Sequence, residues 1–366
     1  MGDTAAGRGA PKVVVVHDYA TQRGGAERVV LRLLQAFPGS TLVTSCWNPP
    51  ATYPEFDDYQ VETLWLDRVS PFRRDPRRAF PFLAAAFSRH AIVNADVVLC
   101  SSSGWAHRVA ATVPTIVYCH NPARWLYQPQ VYFPAMSPWT RRAVTAAMEP
   151  LRRSDKEAAL RAARYVVNSA AVARRVKAVY GIDAAVVPPA PGLSADGPSE
   201  PLPGIEPGFL LTVCRPRGYK HTDVVCDAVA SLPGERLVVV GGPAKEWSRS
   251  CTTAVSGLGD AQMRWLYANA SGLVAVANED FGLTPVEAQS FGLPSVVLRS
   301  EGYLDSTIED VTGVFVDETS PTQVAKAIRD LRSRSWDAGA IRRSGERFSC
   351  DAFARRMNGI VADVLR

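Results

Sequence analysis

Gly272-Leu-Val-Ala-Val-Ala277, followed at once by Glu279-Asp280-Phe281-Gly282-Leu283-Thr284-Pro285-Val286-Glu287, is the stretch on which the fold turns. The apolar run reads as a buried strand, since strands covered on both faces lose polar alternation. Residues 286–291 read as a short helix, with Thr284 as N-cap, Pro285 at the first helical position and Glu287 completing a Thr-x-x-Glu capping box. Gly292 and Pro294 then end it. Glu279 is thereby expected at the carboxyl end of a strand, where open α/β sheets bind ligands. The helix start behind it offers backbone N–H groups and a positive dipole end to an anion. Taken alone, Glu287 reads equally well as a capping acid and Glu279 as an exposed loop acid, so the rest of the chain decides.

Outward from that stretch, β-like and helix-like segments alternate. Strand-like runs stand at 12–16, 42–44, 61–64, 96–100, 114–119 and 165–168, and again at 209–214, 236–241, 272–277, 294–298 and 313–317. Helical patterns fall between them, among them 80–93, 104–111, 138–163 and 170–180. This alternation predicts α/β architecture with doubly wound parallel sheets. The segment 188–208, dense in proline and glycine, reads as a linker between two such series. A chain of 366 residues has room for both.

Composition narrows the function classes. Residues 1–192 carry 23 Lys/Arg against 14 Asp/Glu, a balance of +9, while the remainder carries 18 against 22, a balance of −4. A basic half fits an anionic partner or surface, but its charges form no nucleic-acid reader motif, so nucleic acid is not an expected partner. The seven cysteines (46, 100, 119, 214, 226, 251 and 350) are scattered without a Cys-x-x-Cys, which favours reduced, mostly buried thiols. The first ten residues lack an apolar signal core, and no apolar run approaches the roughly 20 residues that cross a bilayer. The expectation is a cytoplasmic protein, at most peripheral at the inner face of a membrane. Arg73, Arg74, Arg77 and Arg78, set among aromatic and aliphatic residues, are the candidate contact with anionic lipid or a lipid-linked acceptor.

Ligand-type residues gather at strand ends. In the second half these are Arg215 with Lys220, Gly241 with Gly242, and Glu279 through Glu287. Two cations across a Gly-containing loop suit a diphosphate, Arg through its planar fork and Lys as a point charge. In the first half, His17 ends a strand-like run and Gly24-Gly25 opens a helical pattern; His120 ends another run and leads to Arg124. The Gly-x-Gly-x-x-Gly fingerprint and the P-loop are both missing. No two aspartates are separated by a single residue, so no metal-holding Asp-x-Asp is present and no metal is expected.

With these residues in view, the sequence resembles the family-4 retaining glycosyltransferases of GT-B fold, over about residues 12–366. Glu279-x7-Glu287 is similar to their signature, Arg215-x4-Lys220 to their diphosphate-binding pair, and Gly24-Gly25-Ala26-Glu27-Arg28 to their first glycine loop. Val117-Tyr-Cys-His120-Asn-Pro-Ala-Arg124-Trp125 is similar to the His-bearing stretch of a mannosyltransferase-like branch. The resemblance implies two Rossmann-like domains facing a cleft. Residues 12–190 would bind acceptor and 207–345 the nucleotide sugar, and a helix in 346–366 would return to the first domain.

It implies that Glu279 holds hydroxyls of the donor sugar, Glu287 the ribose, and backbone amides of Phe281, Gly282 and Leu283 the sugar and diphosphate. Gly241 and Gly242 would join this donor site, and His120 would touch the sugar, with His107 as a second candidate. Gly24, Gly25, His17 and Arg124 would serve acceptor or diphosphate. The implied activity is metal-independent hexosyl transfer with retention, mannose from GDP-mannose first and a UDP-sugar second. It needs no cofactor beyond the nucleotide-sugar donor, and the acceptor would be a sugar, a lipid-linked glycan or a natural product. The competing reading is a non-catalytic nucleotide-sugar-binding partner subunit.

Overall fold

Four consecutive valines, Val13 to Val16, give β1 (Val13–His17), a strand buried along its whole length. Such a run has no face to offer water and belongs in the middle of a parallel sheet. In the computed structural model, which describes residues 10–129, 137–214, 220–242, 247 and 250–366, β1 is indeed central. The chain divides into one unit of residues 1–188 with 353–366 and another of 189–352.

The first unit is built on a seven-stranded parallel sheet of β1, β2 (Thr41–Thr44), β3 (Val61–Thr63), β4 (Val97–Ser102), β5 (Thr115–Cys119), β6 (Arg164–Val167) and β7 (Ala185–Val186), in the order β3-β2-β1-β4-β5-β6-β7. The chain works outward from β1 to one edge, then crosses back to β4 on its other side. That reversal creates a switch point between β1 and β4, where the two strands pair His17 opposite Ser101. Helices α1 (Gly25–Ala36), α2 (Phe80–Arg89), α3 (Glu149–Leu160) and α4 (Ala170–Tyr180) connect the strands. The ends of α4 were written into the sequence: Ser169 accepts a bond from the Val172 N–H, and Gly181 closes the helix in the left-handed region at φ +79°.

The second unit holds β8 (Leu210–Val213), β9 (Leu237–Val240), β10 (Thr252–Val255), β11 (Gly272–Ala275), β12 (Ser295–Leu298) and β13 (Gly313–Val316), all parallel, in the order β10-β9-β8-β11-β12-β13. Its switch point lies between β8 and β11. Connections include α5 (Thr222–Ala230), α6 (Asp260–Asn269), α7 (Leu283–Ser290) and α8 (Pro321–Ser333). The final helix, α9 (Cys350–Leu365), belongs to the first unit from Phe353 onward. There Phe353 sets its ring edge-on to Tyr118 at 5.9 Å, and the Asn358 amide reaches the Ala36 carbonyl at 3.4 Å.

Four expectations are corrected. Residues 104–111 form no α-helix, only a single 3₁₀ turn at Ala106–Arg108 and a two-residue strand, Ala110–Ala111. The Asp18 carboxylate holds this turn by accepting the N–H groups of Ser103, Trp105 and Ala106 at 2.6, 3.0 and 2.7 Å. The helix expected over 138–163 is two helices, Pro138–Ala147 and α3. The proline-rich segment is no loose linker: Leu193 is buried with Phe209, Leu266 and Tyr267, and Arg264 donates to the carbonyls of Ser194 and Pro198. Finally, α7 begins at Leu283 with Gly282 as its N-cap, so Thr284 lies inside the helix and the expected capping box does not form. Gly282 sits at φ +85°, and a Cβ there would lie 2.4 Å from the Tyr303 ring. Only glycine fits, and it turns the chain into the helix two residues earlier than Thr284 would have.

A candidate donor site at the carboxyl ends of the second sheet

Three strand ends of the second unit converge at its switch point. Past β8 the chain reaches Lys220, and past β11 it reaches Glu279; the Lys220 ammonium forms an ion pair with Glu279 Oε1. Both side chains are mostly shielded from solvent. Past β9, Gly241 sits at φ +93°, so close to β8 that a Cβ would lie 2.3 Å from the Cys214 carbonyl oxygen. Gly242, at φ +79°, makes a similar approach to the Trp247 indole. Glycines at this corner let the chain after β9 press onto Cys214 at the end of β8. Arg215, the other cation expected here, lies outside the described residues.

The loop carrying Glu279 is stapled from behind. Gly302 donates its N–H to the Glu279 carbonyl at 3.0 Å, and a side chain on Gly302 would collide with the Phe281 backbone. Phe281 itself points into a small core with Val286 and Phe348, so its ring is a plug and only its backbone is left for a ligand. Among the described residues no side chain caps α7, whose first turn leaves the N–H groups of Leu283 and Thr284 without partners in the helix. One turn further, Glu287 accepts a 2.9 Å bond from the Tyr267 hydroxyl. Tyr267 is buried, and burial, then the neighbouring Glu287, pushes its phenol well above the ordinary range, so it remains a donor at any working pH. The second unit thus brings Lys220, Glu279, Glu287, Gly241, Gly242, Phe281, Gly282 and Leu283 onto three neighbouring strand ends and one helix start.

The first unit has its own buried polar chain at its switch point. His17 Nδ1 lies 3.1 Å from both the carbonyl and the hydroxyl of Ser101, and that hydroxyl lies 2.8 Å from His120 Nε2. One proton arrangement satisfies every contact: His17 Nδ1–H donates to Ser101, whose hydroxyl donates to a bare His120 Nε2. Burial, then the nearby His17, brings the His120 pKa down to about 3, so this imidazole is neutral. Gly24, extended and buried, caps α1 without a side chain, and Gly25 is its first residue. Arg124 opens a short helical turn, Arg124–Tyr127.

His107 is not free to meet a sugar. Gly104 N–H and His107 Nδ1 share the Ser102 hydroxyl, and His107 Nε2 donates to Asp155 at 3.1 Å. Asp155 also accepts the hydroxyls of Tyr127 and Tyr180 at 2.9 and 2.8 Å. Although burial raises its pKa, His107 and these hydroxyls outweigh burial and lower it overall. The network is a structural tie of the first unit.

Sequence reasoning missed Ser101, which joins the two histidines, and Asn121. Asn121 is 4% exposed, and neither its amide nitrogen nor its amide oxygen has a partner among the described residues. Asn168 spends its nitrogen on the His120 carbonyl and leaves its oxygen without a partner among the described residues. The only signal available was position: Asn168 directly follows β6, and Asn121 stands two residues past β5.

Two doubly wound parallel sheets, one with a lysine–carboxylate pair and an uncapped helix start at its switch point, define a protein of GT-B fold. Solved structures with that architecture align over nearly the whole chain: a glycosyltransferase from Rickettsia africae (15% identity, TM-score 0.68, 97% of this chain and 99% of that one) and HepE of Anabaena in complex with UDP-glucose (14%, 0.70, 96% and 99%). Two family models match in sequence, "Glycosyltransferase Family 4" over residues 23–190 and "Glycosyl transferases group 1" over 208–334. The chain belongs to the family-4 glycosyltransferases. Curated relatives include D-inositol 3-phosphate glycosyltransferases of Geodermatophilus obscurus (28% identical over 292 residues, 69% of this chain) and Segniliparus rotundus (28% over 371 residues, 86% of this chain). The match spans 62% of the former's length and 77% of the latter's.

Proposed function

We propose that this protein transfers a hexose from a nucleoside diphosphate sugar to an acceptor hydroxyl with retention at the anomeric carbon. The observation that carries the reading is the Lys220–Glu279 pair across the β8/β11 switch point. As the glycosidic bond to phosphate breaks, negative charge builds on the diphosphate and the sugar becomes oxocarbenium-like. Fixed positive groups aimed at that charge give the largest stabilisation. Lys220, Arg215 and the uncapped start of α7 supply them, so the reading is metal-independent. Glu279 accepts from donor-sugar hydroxyls while Lys220 holds its carboxylate in place, and Glu287, oriented by Tyr267, takes the ribose. In a front-face transfer the leaving phosphate oxygen receives the acceptor's proton, and no carboxylate forms a covalent intermediate.

In the first unit, neutral His120 contributes through its remaining ring N–H. Asn121 pairs with a hydroxyl through its amide. His17 positions Ser101, and Gly24, Gly25 and Arg124 serve the acceptor or diphosphate. The His120-Asn-Pro-Ala-Arg124-Trp125 stretch favours GDP-mannose as donor. A second donor, a UDP-linked hexose, is favoured by the UDP-glucose and UDP carried by the HepE structures. Acceptors of sugar, lipid-linked or natural-product type all fit the reading.

A thermal-shift panel of GDP, UDP, ADP and dTDP, with Mg²⁺ or with EDTA, is the direct test. A diphosphate at 100 times its dissociation constant stabilises by about 2.7 kcal/mol. One base stabilising equally in EDTA supports the reading and names the donor; no response to any of them overturns it. NMR of the product's anomeric proton then decides retention. Donor binding without turnover on any acceptor hydroxyl would favour the partner-subunit reading.

A further inference from the structure

The surface of the first unit around residues 65–82 has a composition that its fold does not require. Leu66, Pro76, Ala79 and Leu83 point inward and are buried, fixing three short helical turns and the start of α2 to the core. Between these anchors, aromatic rings face outward. Trp65 is 47% exposed and Phe82 46%, and their ring centroids are 6.2 Å apart; Phe72, half-buried against the core, backs Phe82 at 5.8 Å. Two large exposed rings in contact, backed by Phe72, are costly on a surface facing only water and mark a contact site.

Arg73, Arg74, Arg77 and Arg78 are all exposed beside it. Arg77 is tied to Asp75 at 2.7 Å. Residues 65–89 hold six arginines against two aspartates. Pro71 and Pro76 stand at the starts of the turns that carry these arginines, so the display is preset rather than formed on contact.

We propose that this face docks on the surface of a bilayer rich in anionic phospholipid, the exposed rings of Trp65 and Phe82 entering the headgroup–acyl boundary and the guanidiniums meeting phosphate. Exposed aromatic rings, Trp65 with its polar indole N–H among them, and long cationic side chains that snorkel are the chemistry of that boundary. The rings pack on one another and present no row of separate stacking faces, which disfavours single-stranded nucleic acid. Among the described residues no helix is long and apolar enough to cross a membrane, so contact of this kind stays at the surface. The proposal rests on this face alone and stands or falls separately from the transfer reading.

Co-sedimentation with vesicles tests it, using equal parts of phosphatidylglycerol and phosphatidylcholine against phosphatidylcholine alone, at low and high salt. The expected result is binding to the anionic vesicles only, weakened by salt. Changing Arg73, Arg74 and Arg78 together to Gln should lower it on the order of a hundredfold. Trp65→Ser with Phe82→Ser should lower it about tenfold or more. All these positions are exposed, and unchanged melting with an intact nucleotide shift confirms that each variant is folded. Absence of binding at low salt overturns the proposal. So does binding that ignores the ring substitutions, or that polyglutamate displaces as well as anionic vesicles do, since either result points to charge alone or to an acidic protein partner.

Discussion

Lys220 and Glu279 lie 59 residues apart in sequence, yet their side chains form an ion pair across the carboxyl ends of β8 and β11. If the pair served stability alone, removing the lysine would cost on the order of 1 kcal/mol for a partly exposed bridge. The proposed role demands more. Lys220→Ala is expected to lower turnover about 100-fold or more while the protein stays folded. Near wild-type turnover in a folded variant would remove Lys220 from the chemistry.

Tyr267→Phe deletes one hydroxyl and keeps the buried ring that stacks on Phe291. Glu287 then loses the bond that orients it. Nucleoside diphosphate affinity should weaken about tenfold, with kcat at saturating donor little changed. Calorimetric titration of both proteins would show it, and equal affinities would leave Glu287 as a surface acid.

His120 sets an acid limit on the first unit. Its folded pKa, about 3, lies below the ordinary 6.5, so the unfolded chain binds more protons between those values. The contribution of neutral His120 is therefore complete above pH 6.5 and is lost as pH falls toward 3, with a slope of at most about 1.4 kcal/mol per pH unit. Melting curves should show this slope in the wild type and a flatter one in His120→Asn. The lowered pKa of Asp155 adds its own acid sensitivity, which sets in around the ordinary carboxylate value of 3.8, within the lower end of the His120 window, and continues as pH falls further.

Gly282→Ala places a Cβ in the left-handed region and against the Tyr303 ring. The two effects together should cost about 2–4 kcal/mol. Because the residue caps α7, nucleotide binding should fall with stability. A variant that melts like the wild type would mean that the loop has another way into the helix.

Asn121→Ala should act in the opposite sense on stability. The amide is buried with both polar atoms unpaired among the described residues, so its removal relieves a desolvation cost of about 1–3 kcal/mol. The expected signature is an unchanged or higher melting temperature together with a KM for acceptor or donor raised about tenfold. A lower melting temperature with normal kinetics would make Asn121 a purely structural residue.

Much of this was legible in the chain because buried parallel strands announce themselves. Val13–Val16 and Leu237–Val240 are unbroken apolar runs, and the ligand-type residues stand directly after such runs. What stayed hidden depended on partners distant in sequence or on backbone sign. The edge strand β10, Thr252–Val255, is partly exposed and carries two threonines, so no apolar run marked it. The start of α7 hinges on a positive φ at Gly282, whereas Thr284 offered an equally good local cap. Residues 104–111 looked helical because their pattern could not reveal that Asp18 would take three of their neighbouring N–H groups. Likewise His107 could be seen as sugar-facing only while Asp155, 48 residues away, was out of sight.

The placement of residues 353–366 bears on how the protein is made. Phe353 and Met357 are buried, and this segment completes the first unit although the whole second unit precedes it on the ribosome. The second unit's residues are all translated before the first unit can close over Tyr118 and the end of α1. Until then the earlier half waits with an apolar seat uncovered, a window in which chaperones or proteases have access to it. A C-terminal truncation inside this helix should therefore harm the half of the molecule that was translated first.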